Sequence, residues 1–283
     1  MKFLTLSYQL IQNLSFDVVV GAMAMAFLFS KVCSVVLPFG VYSVLGISVW
    51  LIYTFDHLLD AKKIIGLAKT RRHRFHQLHY DVLVNCWLVL FVLGLLLSIS
   101  WIPLVTWYLG LGIVFFSIVH FVLVYFFGSS NSKLLFKEVG VAWGYSTGIV
   151  IGSFSQLDKL GFDDILSFGL LFLVVLFNLV MFSYFDFYKD KKNMQASIAV
   201  NYGVKKTRYI LYCLFVVISV VSFLGVVLVD SSNWYYYFSV YFLFSVGLFY
   251  FLMVVLLEHG DNSDFFRKIG DAVFVLPLVL MFV

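Results

Sequence analysis

The sequence predicts an all-α, polytopic membrane protein, and three observations carry that prediction. The 283 residues are 63% hydrophobic, only 12% are charged, and the apolar residues fall in long runs. A soluble domain of this length has more surface than so few charges can cover. Each run approaches the roughly 20 residues needed to cross a hydrocarbon core of about 30 Å.

Nine spans follow in order: Val18–Val35, Val41–Phe55, Val82–Ile99, Leu104–Phe127, Val139–Phe154, Ile165–Phe185, Tyr209–Val229, Tyr235–Leu257 and Ala272–Val283. The second is short before its first Asp, so it lengthens toward Pro38 or sets its acidic end among the headgroups. The last is short as well. Three prolines and 19 glycines do not cluster into linkers, so residues 1–283 read as a single membrane domain. Met1 to Asn13 lacks the basic, apolar and small-residue succession of a cleaved signal peptide. Cys33, Cys86 and Cys213 are too scattered for a zinc or disulfide pattern and read as small buried hydrophobes.

The positive-inside rule sets the orientation. With the N-terminus in the cytoplasm and the C-terminus outside, all Lys and Arg except Lys31 and Lys159 fall on the inner side. A miscounted span would scramble that split. The expected location is an integral protein of a bacterial inner membrane.

Two inner segments, near Asp56–Asp81 and Asp186–Tyr209, are the longest polar stretches. Each opens with the same pattern, F-D-x-x-x-D-x-K, at Phe55–Lys62 and at Phe185–Lys192. On a helix, residues four apart share a face, and two carboxylates placed so repel unless a cation lies between them. Mg²⁺ prefers oxygen ligands and bridges carboxylates to phosphates. The motifs close the second and sixth spans, an offset of four helices that reads as two four-helix pseudo-repeats plus one helix. Facing each other across a central cavity open to the cytoplasm, Asp56, Asp60, Asp186 and Asp190 could hold two Mg²⁺ ions and a diphosphate. Nearby Lys and Arg residues would meet the remaining phosphate charge.

With these motifs and this topology the chain resembles the UbiA-type intramembrane prenyltransferase superfamily, as a divergent member. The first family motif reads N-D-x-x-D-x-x-x-D. Asp56 and Asp60 match its last two acids, while Ile52 and Tyr53 stand at the leading pair. The second is D-x-x-x-D, often with a third Asp; Asp186 and Asp190 match, and Met194 holds the third position. The resemblance implies a Mg²⁺-dependent transfer of an isoprenyl group from a polyprenyl diphosphate to a lipophilic, aromatic acceptor. The four Asp residues would be both metal ligands and catalytic groups. Lys189, Lys62, Arg71 and Arg72 would bind diphosphate, and Tyr53, Asn178 and Tyr145 would line the substrate cavity. The implied partners are the two substrates and the bilayer, with no nucleic acid.

Two other functions fit parts of the pattern. In a terpene cyclase of the same superfamily, the substrate's own double bond would trap the cation. In an ion-coupled transporter or lipid-binding protein, the carboxylates would be coupling sites, normally near the bilayer midplane. All four Asp residues lie instead at helix ends. The His73, His76 and His79 series reads as part of a basic amphipathic lid, facing either anionic headgroups or the diphosphate.

Overall fold

The computed structural model describes residues 10–63, 66, 68, 71–127, 136–192, 197–257 and 263–282. Those residues form twelve α-helices and a 3₁₀ helix, with no strand among them. The long helices are α1 (Phe16–Val32), α2 (Phe39–Lys63), α4 (Tyr80–Trp101), α5 (Leu104–Phe127), α6 (Phe136–Phe154), α7 (Phe162–Phe185), α10 (Val204–Leu228) and α11 (Trp234–Leu256). Short helices follow the motifs: α3 (Arg71–Leu78), α8 (Phe187–Lys192) and α9 (Ile198–Tyr202). The chain closes with α12 (Ser263–Ala272) and the 3₁₀ helix Val273–Phe282.

Six helices, α2, α4, α5, α7, α10 and α11, are long and apolar enough to cross a membrane, which makes the chain a polytopic membrane protein. The other three expected spans differ for identifiable reasons. At 17 residues, α1 is short, and it is packed inside the bundle rather than against its outside. Lys137, Glu138 and a run of small residues make α6 less apolar. The ninth, expected at Ala272–Val283, is a 3₁₀ helix containing Pro277 and lies against α1.

Burial sorts the helices. α7 is apolar on every face and packs against α6, α10 and α11, so most of it is enclosed. Leu170, Leu171, Val174, Phe177, Val180 and Met181 are essentially inaccessible. α4 and α5 are equally apolar but expose nearly all of their length, as helices facing lipid do. Buried polar groups stitch neighbours together. Trp87 Nε1 donates to the Leu51 carbonyl at 2.9 Å, Thr106 and Ser155 share a hydrogen bond of 2.6 Å, and the Tyr236 hydroxyl donates to the Gly225 carbonyl at 3.0 Å. Asn233 serves two helices at once. Its side chain accepts from Tyr235 N at the start of α11 and donates to the Lys31 and Val32 carbonyls at the end of α1. This answers orphan groups of both termini.

The motif-bearing ends depart from the expected loops. The first motif does not open a loop: α2 continues to Lys63, because nothing from Phe55 to Lys62 breaks a helix. The second is broken after Phe185, yet Asp190 N still donates to the Asp186 carbonyl at 2.8 Å, so its helical spacing persists. Gly203, at φ 81°, makes the turn between α9 and α10 in a conformation that favours glycine.

α12 lies across the end of α7. Phe266 stacks on Phe185 with ring centroids 3.8 Å apart, and the Tyr250 hydroxyl donates to the Gly270 carbonyl at 2.7 Å. A Cβ at Gly270 would sit 2.6 Å from Asn178 Oδ1 and 2.7 Å from the Phe182 ring. Gly270→Ala is therefore expected to destabilise the protein by about 1–3 kcal/mol through overpacking. Gly169→Ala on α7, where a Cβ meets nothing within 4 Å, is expected to be neutral or slightly stabilising. Thermal melts in detergent compare the two; equal melting temperatures would show that α12 does not pack this closely.

Candidate functional site

The site is built from helix ends. Asp56 and Asp60 stand one turn apart near the end of α2, both half-buried. Asp186 caps α7 and is buried, with its N–H on the Phe182 carbonyl; Asp190 is half-buried on α8. Between the two motif-bearing helices runs α6, which packs on both α2 and α7 and begins at the end where they finish. Its first turn carries Lys137.

Lys137 is half-buried and lies within electrostatic reach of Asp56, Asp60, Glu138 and Asp190. Burial alone would push its pKa down, but the four carboxylates together hold it above the ordinary lysine value. The residue after it fixes the second motif's connection to α10. Glu138 Oε1 accepts from Ile198 N at 3.3 Å, and Ser183 Oγ of α7 accepts from Ala199 N at 2.9 Å. Two orphan N–H groups at the start of α9 are thereby satisfied from α6 and α7.

A second cation enters from α12. Arg267 Nε donates to Asp186 Oδ2 at 2.5 Å, and its guanidinium lies over the Phe182 ring, 5.3 Å from the centroid. Burial opposes its charge, but Asp186, then Asp190 and Asp271, hold it firmly protonated. Asp56, Asp60 and Asp190 thus lie within electrostatic reach of Lys137, and Asp186 is bonded to Arg267. Among the described residues no group of three or more His, Cys, Asp or Glu side chains closes on one metal position.

The remaining expected site residues are spread more widely. Lys189 is half-buried between the two acids of its motif, whereas Lys62 is exposed. Arg71 and Arg72 open α3, and their side chains lie outside the described residues. Tyr53 sits on α2 edge-on to His57, with ring centroids 6.5 Å apart. Tyr145 packs edge-on to Phe274 at 6.5 Å and lies within electrostatic reach of Tyr53, Asp17 and Asp271. Asn178 is buried beneath Gly270, two turns before Asp186 on α7, and its Oδ1 has no hydrogen-bond partner among the described residues.

Downstream of the first motif, α3 folds back on α2. Gln77 donates to the Ala61 and Gly66 carbonyls and accepts from Ala68 N. His76 is buried with its ring centroid 5.0 Å from that of His57, while His79 is exposed and bonds the Phe75 carbonyl. At the opposite end of α7, Phe162, Asp163, Leu228, Val229, Asp230, Ser231 and Ser232 line a pocket. A 24-residue helix, about 36 Å, separates it from Asp186.

Sequence reasoning gave no role in the site to Lys137 or Arg267. Both are visible as charges at the Asp-bearing helix ends, but Arg267 meets a partner 81 positions away, which no local pattern discloses.

No family model matches this sequence, and no curated protein matches it. Among solved structures, the chain is similar to that of a UbiA homolog from Archaeoglobus fulgidus bound to DMAPP and Mg²⁺. The TM-score is 0.62 at 10% identity, over 95% of this chain and 99% of that one. The chain has the UbiA-type fold.

Asp190 gives the site a pH dependence. Burial, then the charge of Asp186, raises its carboxyl from 3.8 to about 6. A carboxyl raised on folding favours the folded state below its unfolded value and loses that contribution as pH rises through the folded one. Without divalent cations, Asp190→Asn is expected to stabilise the protein at pH 7.5, on the order of 1–2 kcal/mol or a few degrees in Tm. At pH 4 the effect is expected to vanish. Melting curves in detergent and chelator at both pH values check this; a pH-independent difference would contradict it.

Proposed function

We propose that this chain is a Mg²⁺-dependent intramembrane prenyltransferase, moving an isoprenyl group from a polyprenyl diphosphate to a lipophilic, aromatic acceptor. The observation that carries the reading is the gathering of the two D-x-x-x-D carboxylate pairs at one end of a UbiA-type helical fold, around the start of α6.

The donor set fits Mg²⁺ by its chemistry. All four groups are carboxylates, the oxygen ligands this ion prefers. Burial and the charge of Asp186 drive Asp190 toward protonation, as expected where carboxylates are crowded. Asp56, Asp60, Asp186 and Asp190 would hold the ion. It would supply positive charge that stabilises the diphosphate as a leaving group.

The protein's own groups supply the rest. Lys189, with Lys62, Arg71 and Arg72 further along the two segments, would bind phosphate oxygens. Arg267 and Lys137 are additional donors at the same end. The prenyl tail would lie among apolar helices, in a cavity lined by Tyr53, Asn178 and Tyr145. Exclusion of water there protects an allylic cation from hydrolysis, and aromatic faces stabilise its charge. In this reading the chain crosses a bacterial inner membrane nine times, with the N-terminus and the four Asp residues on the cytoplasmic side. The relative's Mg²⁺ and DMAPP support the choice of ion and substrate class.

Asp60→Asn and Asp190→Asn test the mechanism. Asn keeps the side-chain shape but removes the negative charge. Each variant is expected to fold and to lose on the order of 10³-fold in turnover, several kcal/mol in the barrier. The measurement is prenylated product per folded molecule, by mass spectrometry of extracted lipids after incubation with Mg²⁺, prenyl diphosphates and aromatic acceptors. Near-normal turnover in both variants would remove the carboxylates from the chemistry. A cyclic hydrocarbon or alcohol from prenyl diphosphate alone would identify a cyclase instead.

A further inference from the structure

We infer that Arg267 is a diphosphate-binding residue that α12 brings to the site, and that it couples diphosphate to metal by leaving Asp186 for the phosphate. This rests on the reading above, in which the carboxylates serve a metal and a diphosphate.

Asn178, Phe182 and Asp186 follow one another at helical spacing on one face of α7. α12 lies along that face. Gly270 stands against Asn178 and the Phe182 ring. One turn earlier, Arg267 lays its guanidinium over the Phe182 ring and bonds Asp186. Asp190 N donates to the Asp186 carbonyl, so the second acid of the motif comes one turn further on. The backbone of α12 is pinned, because the Tyr250 hydroxyl bonds the Gly270 carbonyl and Phe266 stacks on Phe185. What can move is the Arg267 side chain.

That side chain has donors to spare. A guanidinium carries five N–H groups. Arg267 meets Asp186 through Nε alone, and among the described residues no acceptor meets its Nη groups. The edge they form matches two phosphate oxygens. The Arg267 side chain is 42% exposed, whereas that of Asp186 is only 6% exposed. A ligand arriving from solvent therefore encounters the guanidinium before the carboxylate.

With the site empty, Arg267 meets the charge of a buried carboxylate that would be costly to leave alone. A metal ion has to compete with it for Asp186. A diphosphate carries several negative charges and offers the guanidinium a stronger acceptor. An arginine drawn to phosphate leaves Asp186 open to the metal, and a metal on Asp186 releases the arginine for phosphate. Each ligand thus raises the affinity for the other, as linkage requires.

Two measurements on the purified full chain in detergent test this. Mn²⁺ stands in for Mg²⁺ and is followed by its paramagnetic resonance. Dimethylallyl thiolodiphosphate, which resists ionisation, is the diphosphate probe and is titrated calorimetrically at saturating Mn²⁺. Relative to wild type, Arg267→Gln is expected to bind Mn²⁺ alone more tightly and the probe more weakly, each by about 10-fold. A residue that only packs α12 onto α7 would weaken both or change neither, and either result would overturn the inference. The second measurement uses the wild type, so it decides even if the variant does not fold. Phenylglyoxal labels accessible arginines, and mass spectrometry of peptides reads the rate at each. Arg267 is expected to react faster with Mn²⁺ alone than without it, and slowest with Mn²⁺ and probe together. Arg208, whose Nε is bonded to the Tyr184 hydroxyl, is expected to keep one rate throughout. An Arg267 rate indifferent to the probe, in a protein that binds it, would overturn the inference and leave the proposed function standing. A wild type that binds neither Mn²⁺ nor probe would overturn the proposed function, and the inference with it.

Discussion

Repulsion among four carboxylates at one end of the bundle is the constraint on which the rest of this structure depends. Two pairs of like charges, each on one helical face and each partly or wholly withdrawn from water, oppose folding unless cations meet them. The protein brings those cations from elements remote in sequence. Lys137 comes at the head of α6 and Arg267 on α12, where it bonds Asp186. α6 has to start where α2 and α7 finish, which fixes the antiparallel order of the central helices. α12 has to lie across the end of α7, which explains the stacked Phe185 and Phe266 and the absence of a side chain at Gly270.

The two ends of the molecule are built on different principles. At the opposite end hydrogen bonds join the helices: Asn233 serves α1 and α11 together, and the buried Asp164 carboxylate of α7 accepts from Gly161 N and Cys33 Sγ. At the Asp-bearing end the neutralisation is shared among groups that also suit phosphate. Arg and Lys exchange a carboxylate for a phosphate oxygen with little change in geometry. In the proposed function such pairs would open to an anion once a metal reached the carboxylates.

Helix positions were legible in the sequence because hydrophobicity alone determines them, and α4, α5, α7, α10 and α11 fall where the apolar runs lie. The end of α2 was not. Asp56 and Asp60 look like the start of a polar loop, whereas their helix continues to Lys63, since charge alone does not break a helix. The last apolar run was visible from its hydropathy, but not that it is a 3₁₀ helix containing Pro277 and packed on α1. Within the site, the paired motif announced the four carboxylates because both halves repeat the same letters. Lys137 and Arg267 repeat nothing, and their roles depend on which helices become neighbours. Asn178 shows the converse: its spacing from Asp186 was visible, but that it lies beneath Gly270 was not.

The central claim is that both motifs meet at one place, and a distance between them tests it most directly. Cysteines replacing Asp60 and Asp190, in a chain with Cys33, Cys86 and Cys213 removed, can carry nitroxide labels for electron paramagnetic resonance. The account predicts strong dipolar broadening, with Cβ positions within about 15 Å, the span that bridging metals and a diphosphate allow at metal–oxygen distances of about 2.1 Å and metal separations near 4 Å. Labels that report only distances well beyond that, with no broadening, would contradict a shared site.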